Sequence, residues 1–361
     1  MSPPAHGRSL AEWSVPVSAL TFLGADELAW REEPQAELGS DESSLVRPVC
    51  VATCDIDDFI IACDSPYAAP LVLGHEGVGE VLEVGDSVRG VAPGDLVIVP
   101  FQVSCGVCPA CRQGRTANCE SVPFASTYGF GFGDQYWGGF LSERIRVPYA
   151  DHMLVPLPAG ISPEAAASAS DNIPDAFRTV AALRDQWPAA PVLVVGGAGP
   201  GSIGLYAVGH AVALGAERVL YVDEDPRRRS IAERLGAQTL ASVPERLEET
   251  FPITVDASAR AAGLELALRS TAPDGTCTST GIYLDTATQP RFPLFEMYFR
   301  NVTFITGRPH VRTVMPDALE VIGTGGLDPT VVTTRVVDWA DAAEALLSHD
   351  YNKLIFKRPG I

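Results

Sequence analysis

Four cysteines lie within one short stretch of the sequence, with the spacing Cys105-x2-Cys108-x2-Cys111-x7-Cys119. Thiolates so spaced can converge on one tetrahedral zinc ion, and a shell of four sulfurs leaves no coordination position open for chemistry. We therefore predict a structural zinc that braces a lobe at about residues 100–120. Two local disulfides are the alternative, but cysteines this close together strain a disulfide more than a metal chelate.

A second set of metal-binding residue types is spread along the chain. Cys54 lies in ATCDIDDF, His75 and Glu76 are adjacent in LVLGHEGVGEV, and Asp171 lies in ASASDNIPDAF. Each alone could be a core thiol, a hydrogen-bonded histidine, or a cap or ion-pair carboxylate. Together they offer thiolate, imidazole and carboxylate, which suit a catalytic zinc with one position kept open.

A glycine motif follows an apolar strand in VLVVGGAGPGSIGLYA. Gly199, Gly201 and Gly204 give G-x-G-x-x-G at the start of a helix. The first glycine permits the turn, the second lets the backbone approach a pyrophosphate, and the third allows close helix packing. The helix N-terminus favours the phosphate charge, so we predict a dinucleotide site that also includes Ile203.

The next predicted strand, RVLYVD, ends in Asp223. A carboxylate there can accept hydrogen bonds from the adenine ribose and would repel a 2′-phosphate, which favours NAD over NADP. Three arginines that follow could instead attract that phosphate, namely Arg227, Arg228 and Arg229. We include Arg228 among the predicted cofactor contacts; exposed helix charges are the plainer interpretation of this run.

The elements that carry these residues fall into two patterns. From residue 15 to about 155, short apolar runs broken by Gly, Pro and Asp predict antiparallel strands in a partly barrel-like domain. From about residue 171, strands alternate with helices, which predicts a parallel sheet wrapped by helices. The final segment, which ends in the predicted strand NKLIFKR, is expected to return to the first domain.

Composition limits the function classes. The chain has 361 residues, 46% of them hydrophobic, with 26 basic and 45 acidic side chains and a formal net charge of −19. This acidic balance repels nucleic acid and anionic lipid, and no apolar run is long enough to span a membrane. We expect a globular enzyme in the cytoplasm, a reducing compartment. We also expect Cys50, Cys63 and Cys277 to be small buried hydrophobic residues.

In this combination the chain resembles the zinc-dependent medium-chain dehydrogenase/reductase family, the alcohol dehydrogenase superfamily. Cys54 with Asp57 resembles the family's Cys-x-x-Asp segment, Gly74-His75-Glu76 its Gly-His-Glu motif, and the four-cysteine lobe and glycine turn follow in the family's order. The resemblance implies an α/β fold with a β-rich GroES-like catalytic domain, residues 1–165 and 312–361, and a Rossmann-type parallel-sheet domain, residues 166–311.

The resemblance also implies two zinc ions per subunit, with Cys54 and His75 as catalytic zinc ligands, Asp171 as the remaining one, and Glu76 as an alternate ligand or a group behind the metal. It implies hydride transfer between an alcohol or polyol and NAD, giving the aldehyde or ketone, in a homodimer or homotetramer. The run VTFITG could pair with its twin at a sheet edge. The rivals are a carbonyl reductase that prefers NADPH and a catalytically silent nucleotide-binding protein.

One departure from the family concerns proton transfer. Where members often place a Ser or Thr that passes the alcohol proton to solvent, this chain has Ile56, and Phe59 replaces a histidine found in some members. Thr53, Asp55, Asp57 or water could substitute. An aromatic, glycine-rich loop follows the cysteine lobe and could either shape a substrate pocket or pack as core; it contains Tyr128, Phe130, Phe132, Tyr136 and Trp137.

Overall fold

The computed structural model describes residues 16–34, 36–62, 67–130, 137–283 and 290–360, without the side chains of residues 16 and 17. Within these ranges the chain forms sixteen strands and eleven α-helices arranged in three sheets. No helix in this described part of the chain is both long enough and apolar enough to cross a lipid bilayer.

The first part of the chain is strand-rich. Its larger sheet contains β3 (Ser44–Ala52), β5 (Glu76–Val84), β6 (Leu96–Ile98), β7 (Ile145–Val147), β8 (Val155–Pro156), β15 (Arg335–Asp338) and β16 (Leu354–Lys357). The strand order is β15-β16-β3-β5-β6-β8, with β7 also paired to β3. All pairs are antiparallel except β15 with β16. The predicted return of the last strand to this region is confirmed.

A smaller antiparallel sheet lies beside it, with the order β2-β1-β4. Its strands are β1 (Pro16–Gly24), β2 (Glu27–Pro34) and β4 (Leu71–Val72). Four helices accompany the two sheets: α1 (Asp55–Ile61), α2 (Pro109–Arg112), α3 (Ala150–Met153) and α11 (Ala342–Leu347). The antiparallel strands predicted for this half are therefore confirmed.

The second part is a six-stranded, wholly parallel sheet. Its strands, in sheet order, are β11 (Gln238–Leu240), β10 (Val219–Val222), β9 (Val192–Val195), β12 (Phe251–Asp256), β13 (Thr271–Ser279) and β14 (Thr303–Thr306). The connecting helices are α6 (Ser202–Ala213), α7 (Pro226–Arg234), α8 (Ala261–Arg269) and α9 (Leu294–Arg300). The order places β9 and the turn after it at the middle of the sheet, where a doubly wound fold binds its ligand.

Local sequence explains these elements. Strand β9 is continuously apolar and wholly buried, as expected for a strand covered by helices on both faces. Helix α7 begins where the Asp225 carboxylate accepts from the backbone N–H groups of Arg227 and Arg228, with Pro226 in the first turn.

A shared apolar core joins the two parts. Helices α4 (Pro163–Ala166), α5 (Asn172–Val180) and α10 (Val311–Gly323) lie between the sheets. Phe177 of α5 and Met315 of α10 share a buried cluster with Ile98 of β6 and Val194 of β9. Helix α10 contains Pro316 in its interior. The domain limits 165/166 and 311/312 stay predictions.

Candidate metal centre and cofactor site

Cys54 is placed by the start of α1. Its backbone N–H donates to Oδ2 of Asp57 over 2.8 Å, and Cys54 is the residue immediately before the helix. The Cys-x-x-Asp spacing is thus a helix N-terminal capping arrangement, in which the third residue of the helix reaches back to the chain that enters it. Because this entry is fixed, the Cys54 thiol has a defined direction and is almost fully buried.

His75 and Glu76 are placed by the start of β5. Gly74 precedes them with φ of +89°, and a Cβ at this position would lie 2.8 Å from the backbone nitrogen of Leu141. Only glycine fits such a crowded left-handed position. Both His75 and Glu76 have no exposed surface.

Asp171 reaches the same place from the other side. It lies between a 3₁₀ turn, Ala167–Ser170, and α5. The Ser170 hydroxyl accepts from the backbone nitrogen of Gly77 over 2.9 Å and donates to its carbonyl over 3.0 Å. These two bonds fasten the turn to β5, so that Asp171 lies beside His75.

The structure brings all four predicted ligands together. Oδ2 of Asp171 lies 3.4 Å from Sγ of Cys54 and 3.6 Å from Nε2 of His75. With Glu76 included, the candidate ligand atoms lie within 4.8 Å of one another, and all four residues are buried. One sulfur, one nitrogen and one or two oxygens around a common point form a donor set that zinc accepts.

The unpartnered atoms of the cluster fit a cation. Neither ring nitrogen of His75 has a hydrogen-bond partner among the described residues, and the same holds for Oε1 of Glu76. Buried polar atoms are normally paired. Burial raises the pKa of the Cys54 thiol and brings that of Asp171 to about 6, and burial lowers the pKa of His75. A bound cation would favour the thiolate, the carboxylate and the neutral imidazole together.

Glu76 has a partner that the sequence did not reveal. Oε2 of Glu76 lies 2.8 Å from Nζ of Lys353, and both side chains are fully buried. Burial raises the pKa of Glu76 to about 7, while Lys353 acts against this rise. Lysine is almost never buried unless it is paired, and the only sequence signal was a single charge directly before the apolar run LIF. Glu76 therefore has one oxygen held by Lys353 and one free.

Asn172 is a second residue that the sequence analysis missed. Its Nδ2 lies 3.1 Å from Sγ of Cys54 and 3.2 Å from Oδ2 of Asp171, where an N–H can donate to either. Its Oδ1 accepts from Lys353 Nζ and from Ser202 Oγ, each over 2.8 Å. Asn172 thereby connects the candidate ligands to the first residue of α6.

One side of the cluster is aromatic. The ring of Phe130 meets the His75 ring edge-on with 4.7 Å between centroids, and Phe101 and Tyr67 lie 5.6 and 5.4 Å from Phe130. In the predicted aromatic loop, Phe130 thus faces the site, whereas Tyr128 is core and donates to the Arg146 carbonyl over 2.7 Å. Trp137 packs at the edge of the strand-rich core, and Phe132 and Tyr136 lie outside the described residues.

Each side chain considered as a substitute for the missing hydroxyl relay has at least one hydrogen-bond partner. Thr53 Oγ1 accepts from the backbone of Leu354 over 3.0 Å, and Asp57 holds the nitrogen of Cys54. Asp55 is bonded to Ser202. Ile56 is buried beside them and has no polar atom to offer.

The four-cysteine lobe forms a compact cluster of its own. All four of its thiols are within metal-binding reach, and none of the cysteines in the described ranges forms a disulfide. Sγ of Cys108 and Sγ of Cys119 are 3.9 Å apart, close to the roughly 3.8 Å separation that tetrahedral Zn–S bonds of about 2.3 Å require. Backbone N–H groups of Val107 and Glu120 point at sulfurs, a contact that favours thiolates.

The two other cysteines in the described ranges are small buried residues, as expected. Cys50 and Cys277 are buried in β3 and β13, and burial raises the pKa of each thiol to about 12. Cys63 lies outside the described residues.

The glycine motif forms the predicted turn between β9 and α6. Gly199 and Gly201 have φ of +62° and +75°. A Cβ on Gly204 would lie 3.3 Å from the Cβ of Ala257, so the third glycine lets α6 approach the neighbouring loop. Ile203 is half-buried in the first turn of the helix.

Asp223 directly follows β10, and both of its carboxylate oxygens are hydrogen-bonded. Oδ1 accepts from the nitrogen of Asp225 and from Arg228, and Oδ2 accepts from the Tyr221 hydroxyl and from Arg228, at 2.7–2.8 Å. Arg228 also donates to the carbonyls of Gly197 and Gly199 over 2.8 Å each. The two predicted cofactor contacts, Asp223 and Arg228, are therefore partners of each other at the glycine turn.

Comparison with known proteins agrees with this architecture. Residues 40–159 match the profile of the alcohol dehydrogenase GroES-like domain, and residues 202–324 that of the zinc-binding dehydrogenase family. The medium chain reductase/dehydrogenase ucsI of Acremonium sp. is 31% identical over 283 residues, which cover 74% of this chain and 94% of that protein. Zinc-type alcohol dehydrogenase B of Aspergillus flavus is 29% identical over 339 residues, covering 89% and 76%.

A solved structure is similar over almost the whole length. Alcohol dehydrogenase TADH from Thermus sp. ATN1 gives a TM-score of 0.85 at 28% identity, covering 94% of this chain and 99% of that one. The expected fold class, a Rossmann-type domain with a GroES-like catalytic domain, is confirmed. The chain belongs to the zinc-dependent medium-chain dehydrogenase/reductase family and is a zinc-dependent oxidoreductase of alcohols or carbonyl compounds.

Proposed function

We propose that this protein is an NAD-dependent alcohol dehydrogenase whose catalytic zinc is held by Cys54, His75 and Asp171. The observation that carries this proposal is a buried Asp171 carboxylate within 3.6 Å of both the Cys54 thiol and the His75 imidazole, whose nitrogens form no hydrogen bond with any described residue. Bound zinc would act as a Lewis acid on the alcohol or carbonyl oxygen, and bound NAD would accept the hydride.

The chain's own residues position that chemistry. Asp57 Oδ1 lies 3.5 Å from Nδ1 of His75, an ion-pair contact longer than a hydrogen bond, while Asp171 lies near Nε2, so a carboxylate faces each nitrogen of the imidazole. The Asn172 amide contacts both Cys54 and Asp171 and so fixes the position of the thiol relative to the carboxylate. Lys353 balances the charge of Glu76, which leaves Glu76 behind the three nearer ligands or as an alternate to one of them.

The arginines after β10 support NAD over NADP. Arg228 is committed to Asp223 and to two carbonyls of the glycine turn. Arg227 is paired with Asp350, and Arg229 donates to the carbonyls of Asp223 and Glu224. Since a 2′-phosphate needs a cation that is free to meet it, this arrangement favours the cofactor that lacks the phosphate.

The aromatic side of the cluster favours an apolar substrate. Phe101, Phe130 and Tyr67 form a continuous set of rings that ends at His75. Such a wall gains free energy from contact with hydrocarbon, and the rings of Phe101 and Phe130 offer no hydrogen-bond partner to extra hydroxyl groups of a substrate. Within the alcohols and polyols that the family implies, we expect aromatic or aliphatic monohydric alcohols to be preferred.

Metal analysis and turnover of the purified protein test the proposal. We expect about two zinc ions per chain, one for each cluster, and NADH formation that depends on the alcohol. Cys54→Ala should remove one zinc and the activity while the protein stays folded by circular dichroism. Cys277→Ala, which removes a buried thiol distant from both clusters, is the matched control and should keep both.

Three results would count against it. Full activity of Cys54→Ala would contradict zinc catalysis at this site, and faster turnover with NADPH would favour the carbonyl reductase. A single zinc with no turnover across primary, secondary, aromatic and polyhydroxylated alcohols would favour a catalytically silent nucleotide-binding protein.

We also propose that two subunits associate through the β14 edge of the parallel sheet. Among the described residues β14 pairs only with β13, so its other edge is open. Next to it, α9 exposes Leu294, Phe295, Tyr298 and Phe299, each 68–78% exposed. A large exposed apolar patch beside an open edge fits a self-complementary contact with a second copy. Light scattering after chromatography should give a dimer or tetramer for the wild type and a smaller species for Phe295→Glu.

A further inference from the structure

Asp55 of α1 is bonded to the N-terminus of α6. Its Oδ1 accepts from the backbone nitrogen of Ser202 over 3.0 Å and from the Ser202 hydroxyl over 2.7 Å. Ser202 is the first residue of the twelve-residue helix that follows the glycine turn. The contact joins residues 147 positions apart and connects the strand-rich part of the chain to the nucleotide-binding part.

We propose that Asp55 is an internal competitor for the dinucleotide, because its carboxylate lies where the cofactor's pyrophosphate must bind. This inference rests on the proposed use of a dinucleotide at the glycine turn. The first N–H groups of a helix have no partner within the helix and carry partial positive charge, so they bind anions. In a G-x-G-x-x-G turn that anion is the pyrophosphate; here a carboxylate of the same chain takes one of those donors.

Other contacts hold the glycine turn against the same helix. A Cβ on Gly199 would lie only 3.3 Å from the Phe59 ring, which is one turn of α1 beyond Asp55. Nδ2 of Asn352 donates to the carbonyl of Pro200 over 2.8 Å. The turn is therefore covered by α1 on one side and held by the C-terminal segment, and a pyrophosphate requires α1 or the Asp55 side chain to withdraw.

The charge of Asp55 makes the competition unfavourable to the cofactor. Among the described residues no lysine, arginine or histidine forms an ion pair with Asp55, so the α6 terminus and Ser202 are what balance its charge. A pyrophosphate would place further negative charge next to this carboxylate, and like charges at short range repel. Neutralising Asp55 should thus strengthen cofactor binding, although it removes a native contact.

The same contact leads to the metal centre. The Ser202 hydroxyl bonds both Asp55 and Oδ1 of Asn172, and Nδ2 of Asn172 contacts Cys54 and Asp171. Displacement of Asp55 by a pyrophosphate would therefore change the hydrogen bonds of Ser202. Ser202 is connected to the candidate zinc ligands through a single residue, Asn172. Cofactor binding is therefore linked to the positions of the candidate zinc ligands through the side chains of Ser202 and Asn172.

The test is a set of dissociation constants for phosphate-bearing and phosphate-free ligands. NADH, ADP-ribose and adenosine would be titrated calorimetrically against the zinc-loaded wild type, Asp55→Asn, Asp55→Ala and the control Asp58→Asn. Asp58 belongs to the same helix but faces His349 instead of α6. We expect both Asp55 variants to bind NADH and ADP-ribose about tenfold more tightly, the scale of a charge at a helix terminus in a partly buried setting. The affinity of the Asp55 variants for adenosine should stay within about twofold of the wild type. The Asp58→Asn variant should bind all three ligands with affinities within about twofold of the wild type.

Each other outcome has a definite meaning. Weaker or unchanged binding of ADP-ribose by both Asp55 variants would overturn the inference and would make Asp55 a contact or a bystander. An equal gain in affinity for ADP-ribose in Asp58→Asn would also overturn the inference, because the tighter binding would then come from the change in the protein's net charge. Failure of every form to bind either NADH or ADP-ribose would defeat the proposed function and this inference together. ADP-ribose carries no nicotinamide, so its result stands even if a variant loses catalytic zinc.

Discussion

Nζ of Lys353 lies 2.8 Å from Oε2 of Glu76, and both side chains are fully buried, 277 positions apart in the sequence. The same ammonium group also donates to Oδ1 of Asn172. A charge placed here compensates part of an acidic site that contains Asp171 and Cys54 as well. Strand β16 thus does more than join β15 to β3, because the residue before it balances the charge of the candidate metal centre.

Lys353→Met should destabilise the protein strongly. The substitution keeps the apolar stem but leaves Glu76 buried without its cation, which costs about 3–5 kcal/mol when one partner of a buried pair is removed. Urea denaturation of the zinc-loaded protein would measure the loss. The double variant Lys353→Met with Glu76→Gln should recover part of it, since no charge is then stranded. Equal stability of Lys353→Met and wild type would show that the pair contributes nothing.

His349 should make stability depend on pH. Its Nδ1 lies 2.6 Å from Asp58 and its Nε2 3.1 Å from Asp26, so it joins the end of α11 to α1 and to the β1–β2 turn. Hydrogen bonds that the His349 ring donates to the carboxylates of Asp58 and, more weakly, Asp26 raise the pKa of His349 above its ordinary 6.5. A raised pKa means that the contribution is complete below the unfolded-state pKa and is lost as the pH rises through the folded-state pKa.

The measurement compares wild type with His349→Gln from pH 5.5 to 9. Because the pair is partly exposed and screened, we expect the variant to lose at most about 1 kcal/mol at the acidic end. The difference should shrink toward zero at the alkaline end. A gap that widened with increasing pH would contradict the assignment.

The local features of the site were predictable from sequence, and the long-range ones were not. Helix capping fixes the position of Cys54 through Asp57, three residues later, and the turn at Gly74 fixes the positions of His75 and Glu76. Both arrangements are local in the sequence. The glycine turn and its strand are likewise local. Lys353 and Asn172, however, acquire meaning only when distant segments meet, and neither residue type has a local pattern that signals burial beside a metal.

The role proposed for Asp55 in cofactor binding likewise depends on a contact between distant segments that the sequence does not show. The sequence placed it beside Cys54 and suggested only a proton route, whereas the packing of α1 against α6 gives it Ser202 as a partner. The arginine run was likewise ambiguous because the sequence could not assign partners. The structure gives each of Arg227, Arg228 and Arg229 a different set of acceptors.

Cys108→Ala should separate the lobe from the catalytic centre. Burial raises the pKa of this thiol, but N–H groups of Cys111 and Glu120 that point at its sulfur bring it to about 6, which suits a thiolate ligand. Removing it should lower the zinc content from about two to about one per chain and lower the melting temperature by several degrees. The control Cys50→Ala removes a buried thiol from β3 and should keep both zinc ions. An unchanged zinc content in Cys108→Ala would exclude a structural zinc at this lobe.

Asp223→Asn should shift cofactor preference toward NADPH. In the wild type the Asp223 carboxylate neutralises Arg228 through two bonds of 2.7 Å, and Arg228 reaches the carbonyls of the glycine turn. An amide keeps the shape of the carboxylate but leaves the guanidinium charge balanced only by Asp225, 3.7 Å away, at the place where a 2′-phosphate would bind. We expect the ratio of kcat/KM with NADPH to that with NADH to rise about tenfold, the scale of one lost or gained charge contact. Arg227→Ala, which removes exposed ion pairs with Asp350 and Asp225 but no contact of Arg228, is the control and should leave the ratio unchanged. If Asp223→Asn lost activity equally with both cofactors, Arg228 would be a brace for the glycine turn and not a determinant of which nucleotide binds.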